Sequence, residues 1–289
     1  MRILILRGGA LGDFIVTLPA IAALRSKWPN ARIELVGNAT AAQLAFGRGL
    51  LDAVHSQHDA RWSALYGSAP MPDDLARWIA AFDLVVNYWP DPEQELARRF
   101  PARAEQIFVT AGAHPATNPA ALHFLAALRG RGVTPGPLVY SLRTPHPDRR
   151  SLALHPGSGS PRKNWPIDRW KTLSEWLERE LGLDVVVISG EAESPRTLEG
   201  IGERFHSRSI NDVADRLSQC RLFIGHDSGI SHLAASAGVP CVLLFGPTDP
   251  AIWAPPSPTV RVIQRGADLS RISLEHVQSA VTAALRDQS

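Results

Sequence analysis

Arg2-Ile3-Leu4-Ile5-Leu6-Arg7-Gly8-Gly9-Ala10-Leu11-Gly12-Asp13 opens the chain and contains the pattern on which its fold turns. A short apolar run is cut by glycines, and a helical pattern follows from about Gly12 to Lys27. Strand, glycine turn and helix are the first half of a βαβ unit. The same grammar returns about 150 residues later, where Ser151 to His155 leads into the glycine/serine turn Pro156 to Ser160. Its helical pattern, about Asp168 to Leu181, follows a seven-residue insertion. Two α/β domains in series account for the repetition.

Between them, Val133 to Arg150 carries prolines at 135, 137, 145 and 147 and few apolar residues, which reads as an interdomain linker. Further apolar runs predict strands over Ile33–Val36, Leu84–Asn87, Ile107–Val109, Val185–Ile188, Leu222–Ile224 and Val239–Phe245. Most are continuous rather than alternating, as parallel strands covered on both faces require. Helical patterns separate them over Asp73–Ala80, Pro119–Arg129, Asn211–Gln219 and Ser231–Ala237, and Leu274–Leu285 closes the chain. The expected architecture is α/β, with two doubly wound domains, 1–145 and 146–289, whose parallel sheets face a central cleft. The C-terminal helix is expected to pack back on the first domain.

With 289 residues, 45% apolar and 20% charged, the composition is that of a globular protein of two domains. No apolar run approaches the roughly 20 residues of a membrane helix. Arg7 and two glycines break the N-terminal run too early for a secretory signal, so a cytoplasmic protein is expected. Cys220 and Cys241 sit in apolar stretches and read as buried thiols. No Cys/His spacing and no HExxH pattern points to a metal. A net charge of +2 gives no reason to expect nucleic acid.

Three strand-to-helix turns carry chemistry. In Gly8–Asp13, glycines such as Gly9 and Gly12 let the backbone approach a ligand, and Asp13 falls in the first helical turn. Neither GxGxxG nor a P-loop can be laid over it. Taken alone, Asp13 serves equally as a carboxylate complementing the helix dipole or as a group facing the ligand crevice at a strand's carboxyl end. The second turn, His155-Pro156-Gly157-Ser158-Gly159-Ser160-Pro161-Arg162-Lys163-Asn164-Trp165-Pro166, offers backbone N–H groups, two hydroxyls and two cations. That inventory suits a pyrophosphate. The third, Gly225-His226-Asp227-Ser228-Gly229-Ile230-Ser231-His232, puts Asp227 and Ser228 at the helix N-cap and His232 one turn on. Three triad-type residues within six positions do not converge as a hydrolase triad, and no GxSxG elbow exists. Glu191 and Glu193 end one strand, and Gly246-Pro247-Thr248 ends another. Among the tryptophans, 170 and 176 read as core, while 62, 78, 89, 165 and 253 could stack a sugar or base.

Taken together, Arg7–Asp13, His155–Ser158 leading to Lys163-Asn164-Trp165-Pro166, Asp227–His232 and Gly246–Thr248 resemble the heptosyltransferases of glycosyltransferase family 9, over nearly the whole chain. The resemblance implies a GT-B fold of two Rossmann-like domains, acceptor on the first and nucleotide-sugar donor on the second. It implies an inverting transfer without metal or other cofactor, of heptose or a related sugar, from an ADP- or other nucleotide-sugar. The acceptor would be a hydroxyl of a cell-envelope glycan or lipopolysaccharide-type molecule. Asp13 would be the general base, Lys163 with Ser158 or Ser160 would hold the diphosphate, and Asp227, Ser228, Gly229 and His232 the donor. Glu193 would bind the ribose, with Glu191 as the fallback. A lipid-linked acceptor implies peripheral visits to the inner membrane leaflet. The family's basic acceptor-binding residues find no clear match among Arg61, Arg98, Arg99 and Arg103, and the chain is shorter than typical members. A nucleotide-sugar-binding protein that keeps the fold without catalysis is the alternative; an epimerase or hydrolase of the same fold explains Asp13 less well.

Overall fold

The computed structural model describes residues 1–289 apart from 67–68, 116–118, 147, 190–197 and 289. Its contacts divide the chain into two compact units, Met1–Leu138 and Val139–Ser289. The first runs β1 (Arg2–Arg7), α1 (Leu11–Ile15), α2 (Leu18–Lys27), β2 (Arg32–Gly37), α3 (Ala39–Phe46), β3 (Ala53–Ser56), α4 (Asp73–Ala80), β4 (Leu84–Asn87), β5 (Ile107–Thr110) and α5 (Ala120–Ala126). The second runs β6 (Asp148–His155), α6 (Ile167–Arg179), β7 (Asp184–Ser189), β8 (Glu203–His206), α7 (Ile210–Ser218), β9 (Cys220–His226), α8 (Gly229–Ser236), β10 (Cys241–Phe245), α9 (Pro250–Trp253), β11 (Val260–Gln264) and α10 (Leu274–Arg286).

Each unit is built on one sheet, with all of the described pairings parallel. The orders are β3-β2-β1-β4-β5 and β11-β10-β9-β6-β7-β8. Read from its own first strand, each sheet grows one way for three strands and then reverses. The reversal lies between β1 and β4 in the first sheet and between β6 and β9 in the second. Doubly wound sheets bind ligands just there, beyond the carboxyl ends of the strands, because the helices leave in opposite directions and open a crevice.

The continuous apolar runs become the central strands: Ile3 to Leu6, Leu84 to Val86, Leu222 to Ile224 and Val242 to Phe245 are all essentially buried. On one face of the first sheet Leu4, Leu6, Val36 and Val85 meet Leu75, Ile79, Phe82 and Trp62. In the second unit Leu152, Leu154, Val185, Val187 and Leu244 pack with Trp165, Trp170, Leu173 and Leu177. Val277, Val281 and Ala284 of α10 belong to that core, so the helix buries its apolar face within its own unit. Cys220 and Cys241 are both buried, and burial pushes the Cys241 thiol well above its ordinary range.

The structure refines several elements. The single helix read over 12–27 is two, since Val16 and Thr17 turn the chain before Pro19, whose ring has no N–H to donate. Three strands escape the apolar-run criterion because they lie toward or at sheet edges and are only partly buried: β3, β8 and β11. Of the proline-rich segment 133–150, the part after 138 is fastened to the second unit rather than free. Leu142 N–H donates to Ser236 O at 2.7 Å, His146 N–H to Ser218 O at 3.0 Å, and Arg143 pairs with Asp215. Among the described residues no helix is long and apolar enough to cross a membrane.

Candidate functional site

At the reversal of the first sheet, the backbone turns out of β1 through Gly8 and Gly9. Gly9 has φ +106°, open to glycine and strained for other residues, and a Cβ there would come within 2.6 Å of Asp13 Oδ2. The Gly9 peptide is gripped on both sides: its N–H donates to Gln57 Oε1 at 3.0 Å, and its carbonyl accepts from Asn38 Nδ2 at 3.1 Å. Asn38 and Gln57 follow β2 and β3 directly. A Cβ on Gly8 would crowd Gln57 and the Trp89 indole at 3.2 Å, so the tight turn is shaped from three neighbouring loops.

This turn delivers Asp13 to α1 with both carboxylate oxygens engaged. Oδ2 accepts the Ala10 N–H at 2.9 Å and Oδ1 accepts Arg7 Nη2 at 3.1 Å. Ala10 is the N-cap residue but has no side chain to cap with; Asp13 reaches back to cap instead. The Arg7 Nε also donates to the Asp13 carbonyl at 3.0 Å and to Thr17 Oγ1 at 3.1 Å. Arg7 is 4% exposed and lies 4.5 Å from the centroid of the Phe124 ring. Burial pushes its guanidinium down from its ordinary value, with the Asp13 charge opposing that. The Asp13 side chain, by contrast, is 34% exposed. The carboxylate is thus held by a neighbour on each oxygen and remains reachable from solvent. Gly12 is the second residue of α1.

In the second unit the loops after β6, β9 and β10 meet. Lys163 Nζ donates to Asp227 Oδ2 at 2.6 Å, and Thr248 Oγ1 donates to the same oxygen at 2.7 Å. Asp227 is therefore not the helix cap: Ser228 caps α8, accepting the Ser231 N–H at 3.3 Å, while Asp227 gathers a cation and a hydroxyl. Gly229 is the first residue of α8, and His232 lies one turn on, largely buried. Ser158 Oγ is 2.7 Å from both the Ser160 carbonyl and the Asn164 side-chain oxygen, and it receives the Ser160 N–H at 3.3 Å. Ser158 and Ser160 thus close a small turn, with Lys163 ending the single helical turn Pro161–Lys163. Glu191 and Glu193 lie outside the described residues. Among the described residues no three His, Cys, Asp or Glu gather as a metal site would need.

Two features of this unit had no role assigned from sequence. Thr248 was legible only as a turn residue. His226, fully buried, has its ring nitrogens against the loop, and burial pushes its pKa down to about 3. Its unfolded imidazole titrates near 6.5, so from pH 6.5 down to about 3 the unfolded chain holds a proton that the folded chain refuses. Its share of the stability is thus present above pH 6.5 and is lost progressively as the pH falls below that. Chemical denaturation of wild type and His226→Gln from pH 7 to 4 is expected to show the shallower slope in the variant; parallel slopes would contradict the burial of a neutral imidazole.

The tryptophans offered as stacking platforms are mostly inside. Trp62, Trp89 and Trp165 are buried, Trp170 is core as expected, and Trp176 is partly buried against the same core. Asn38 and Gln57 carry no sequence motif; their one signal is position, the first residues beyond strands β2 and β3.

Known proteins share this architecture. The chain is 23% identical over 290 residues to lipopolysaccharide heptosyltransferase 1 of Salmonella typhimurium, covering 87% of this chain and 90% of that one. It is 26% identical to lipopolysaccharide heptosyltransferase 1 of Pseudomonas aeruginosa, covering 86% and 80%. A solved glycosyltransferase family 9 protein of Veillonella parvula superposes with TM-score 0.78 at 22% identity, covering 99% of this chain and 97% of that one. The Escherichia coli heptosyltransferase WaaC with ADP superposes with TM-score 0.72 at 20% identity, covering 98% and 100%. These establish the shared GT-B fold. Glycosyltransferase family 9 (heptosyltransferase) matches residues 126–278, more than half of the sequence and nearly all of the second unit, and the chain belongs to that family.

Proposed function

We propose that the protein is an inverting glycosyltransferase that moves heptose or a related sugar from an ADP-sugar to a hydroxyl of a lipopolysaccharide-type acceptor. The observation that carries the reading is Asp13: a one-third exposed carboxylate at the reversal of the first sheet, held through both oxygens. In the proposed step the acceptor hydroxyl gives its proton to Asp13 as its oxygen attacks the anomeric carbon. The bond from that carbon to the diphosphate breaks on the opposite face, and the nucleotide diphosphate departs. Lys163 and the N–H groups of the 156–166 loop stabilise the charge that develops on it. Asp227, Ser228, Gly229 and His232 hold the rest of the donor, and Glu193 is assigned the ribose.

The choice of ADP and heptose is supported by relatives named as lipopolysaccharide heptosyltransferases and by the WaaC structures solved with ADP and with ADP-2-deoxy-2-fluoro heptose. Transfer is proposed to need no divalent cation, Lys163 supplying the positive charge; equal rates in EDTA and in magnesium are expected. A cytoplasmic site of action, with visits to the membrane surface, belongs to the same proposal. The test is a thermal-shift screen of ADP-, UDP-, GDP- and dTDP-sugars, followed by incubation of the best donor with a cell-envelope extract. Stabilisation by ADP-sugars and acceptor-dependent release of ADP are expected. Binding with no ADP released would instead mark a non-catalytic nucleotide-sugar-binding protein.

Gly9 gives a second check. Gly9→Ala forces a strained φ and pushes a methyl into the Asp13 carboxylate, costing about 1–3 kcal/mol of backbone strain or moving the base. Transfer is expected to fall at least tenfold with ADP affinity unchanged; full activity would show that the turn does not place the base.

A further inference from the structure

The loop that follows β6 has to present Ser158, Ser160 and Lys163 in a fixed arrangement, yet it is eleven residues of turn and single helical turn between β6 and α6. Loops of that kind are not self-supporting, and ordering one on binding costs affinity. What fastens this loop is a side chain from another strand. His226, the last residue of β9, accepts the Trp165 N–H on Nε2 at 2.9 Å. That leaves the proton on Nδ1, which faces the Gly157 carbonyl at 3.3 Å and donates to it. One neutral imidazole therefore joins position 157, where the loop leaves the sheet, to position 165, where it enters the helix.

The clamp is itself rigidly set. Trp170 meets the His226 ring edge-on with centroids 5.2 Å apart, and Trp165 is fixed by its indole N–H to the Ile272 carbonyl at 2.8 Å. Asp227, the next residue along the chain, takes Lys163 at 2.6 Å. Consecutive residues at the end of β9 thus hold the loop at its entrance, at its exit and at its cation.

Resting on the reading of this loop as the diphosphate site, we propose that His226 is a positioning residue for the nucleotide. It preorganises the phosphate-binding loop by bridging Gly157 and Trp165, without touching the ligand itself. It does this uncharged, so it adds shape and not field; the charge comes from Lys163.

The test is calorimetry with ADP on the full chain, well below each variant's melting temperature. His226→Ala, which removes both bonds, is expected to weaken ADP binding about tenfold. His226→Gln, whose amide reaches the position of Nε2, is expected to stay within about threefold of wild type. His226→Asn, which reaches only the Gly157 side, should fall between them and serves where the alanine variant does not fold. In a Lys163→Ala background His226→Ala should cost less than about threefold more, since the clamp acts by placing Lys163. A donor KM that rises while kcat at saturation is retained belongs to the same expectation. Unchanged ADP affinity in folded His226→Ala and His226→Asn, with Lys163→Ala weakened, would overturn the clamp and leave the phosphate site standing. An additive cost in the double variant would overturn the route through Lys163. Unchanged affinity in Lys163→Ala would instead overturn the phosphate site itself.

Discussion

Asp13→Asn is expected to lower the transfer rate by about 10²–10⁴-fold, the range a positioned general base contributes, while ADP affinity stays as in the wild type. The substitution keeps size and shape but cannot take up the acceptor proton. It also cannot satisfy both present partners: an amide oxygen turned to the Ala10 N–H puts its NH₂ against Arg7, and the reverse orientation faces two donors at Ala10. Arg7 keeps its bonds to the Asp13 carbonyl and Thr17 Oγ1, so the loss is partial. A fall of about 1–2 kcal/mol in stability is expected from the lost charge-assisted hydrogen bond. Steady-state kinetics, ADP calorimetry and a melting curve on the same preparation separate these effects. Unchanged turnover in folded Asp13→Asn protein would end the base assignment.

Lys163→Ala carries the second large effect. A hydrogen bond to a charged group contributes about 1.5–3 kcal/mol, so losing the ammonium is expected to weaken ADP about 10–100-fold. The free protein adds to this. Asp227 is 10% exposed, and without Lys163 its Oδ2 keeps, among the described residues, the Thr248 hydroxyl alone. An underpaired anion then stands where a diphosphate is to bind. Adding Asp227→Asn to Lys163→Ala is accordingly expected to recover part of the ADP affinity without restoring sugar transfer, since Asp227 is also assigned to the donor. ADP affinity equal to wild type in Lys163→Ala would sink the phosphate role. A double variant weaker than Lys163→Ala would mean that Asp227 contributes more than it repels.

The fold was largely legible from residues because parallel strands buried on both faces must be continuously apolar, and β4 and α4 were read to the residue. What escaped has physical reasons. Edge strands such as Glu203–His206 have little apolar demand on them, and the break at Val16–Thr17 falls within a pattern that reads as one continuous helix. Asp13 and Lys163 stood out by their places in the turns after two strands, and the family resemblance, not position, implied their roles. Their supports stayed hidden. Gln57 follows a strand too polar to be noticed, and His226 stood in a quoted motif without any sign that its ring reaches back to Gly157 and Trp165. Long-range partners of that kind have no local signature.

The turn at Gly8–Gly9 has a consequence for engineering. Its geometry is shared out among Asn38, Gln57, Trp89 and Phe124, which come from four different segments of the first unit. The helix it feeds is five residues long, too short to persist without its surroundings. The glycine loop and its aspartate are therefore not a transplantable cassette. Grafted onto another strand and helix, the same seven residues would keep their sequence and lose the fixed carboxylate, unless the three neighbouring loops and the ring beneath Arg7 travelled with them.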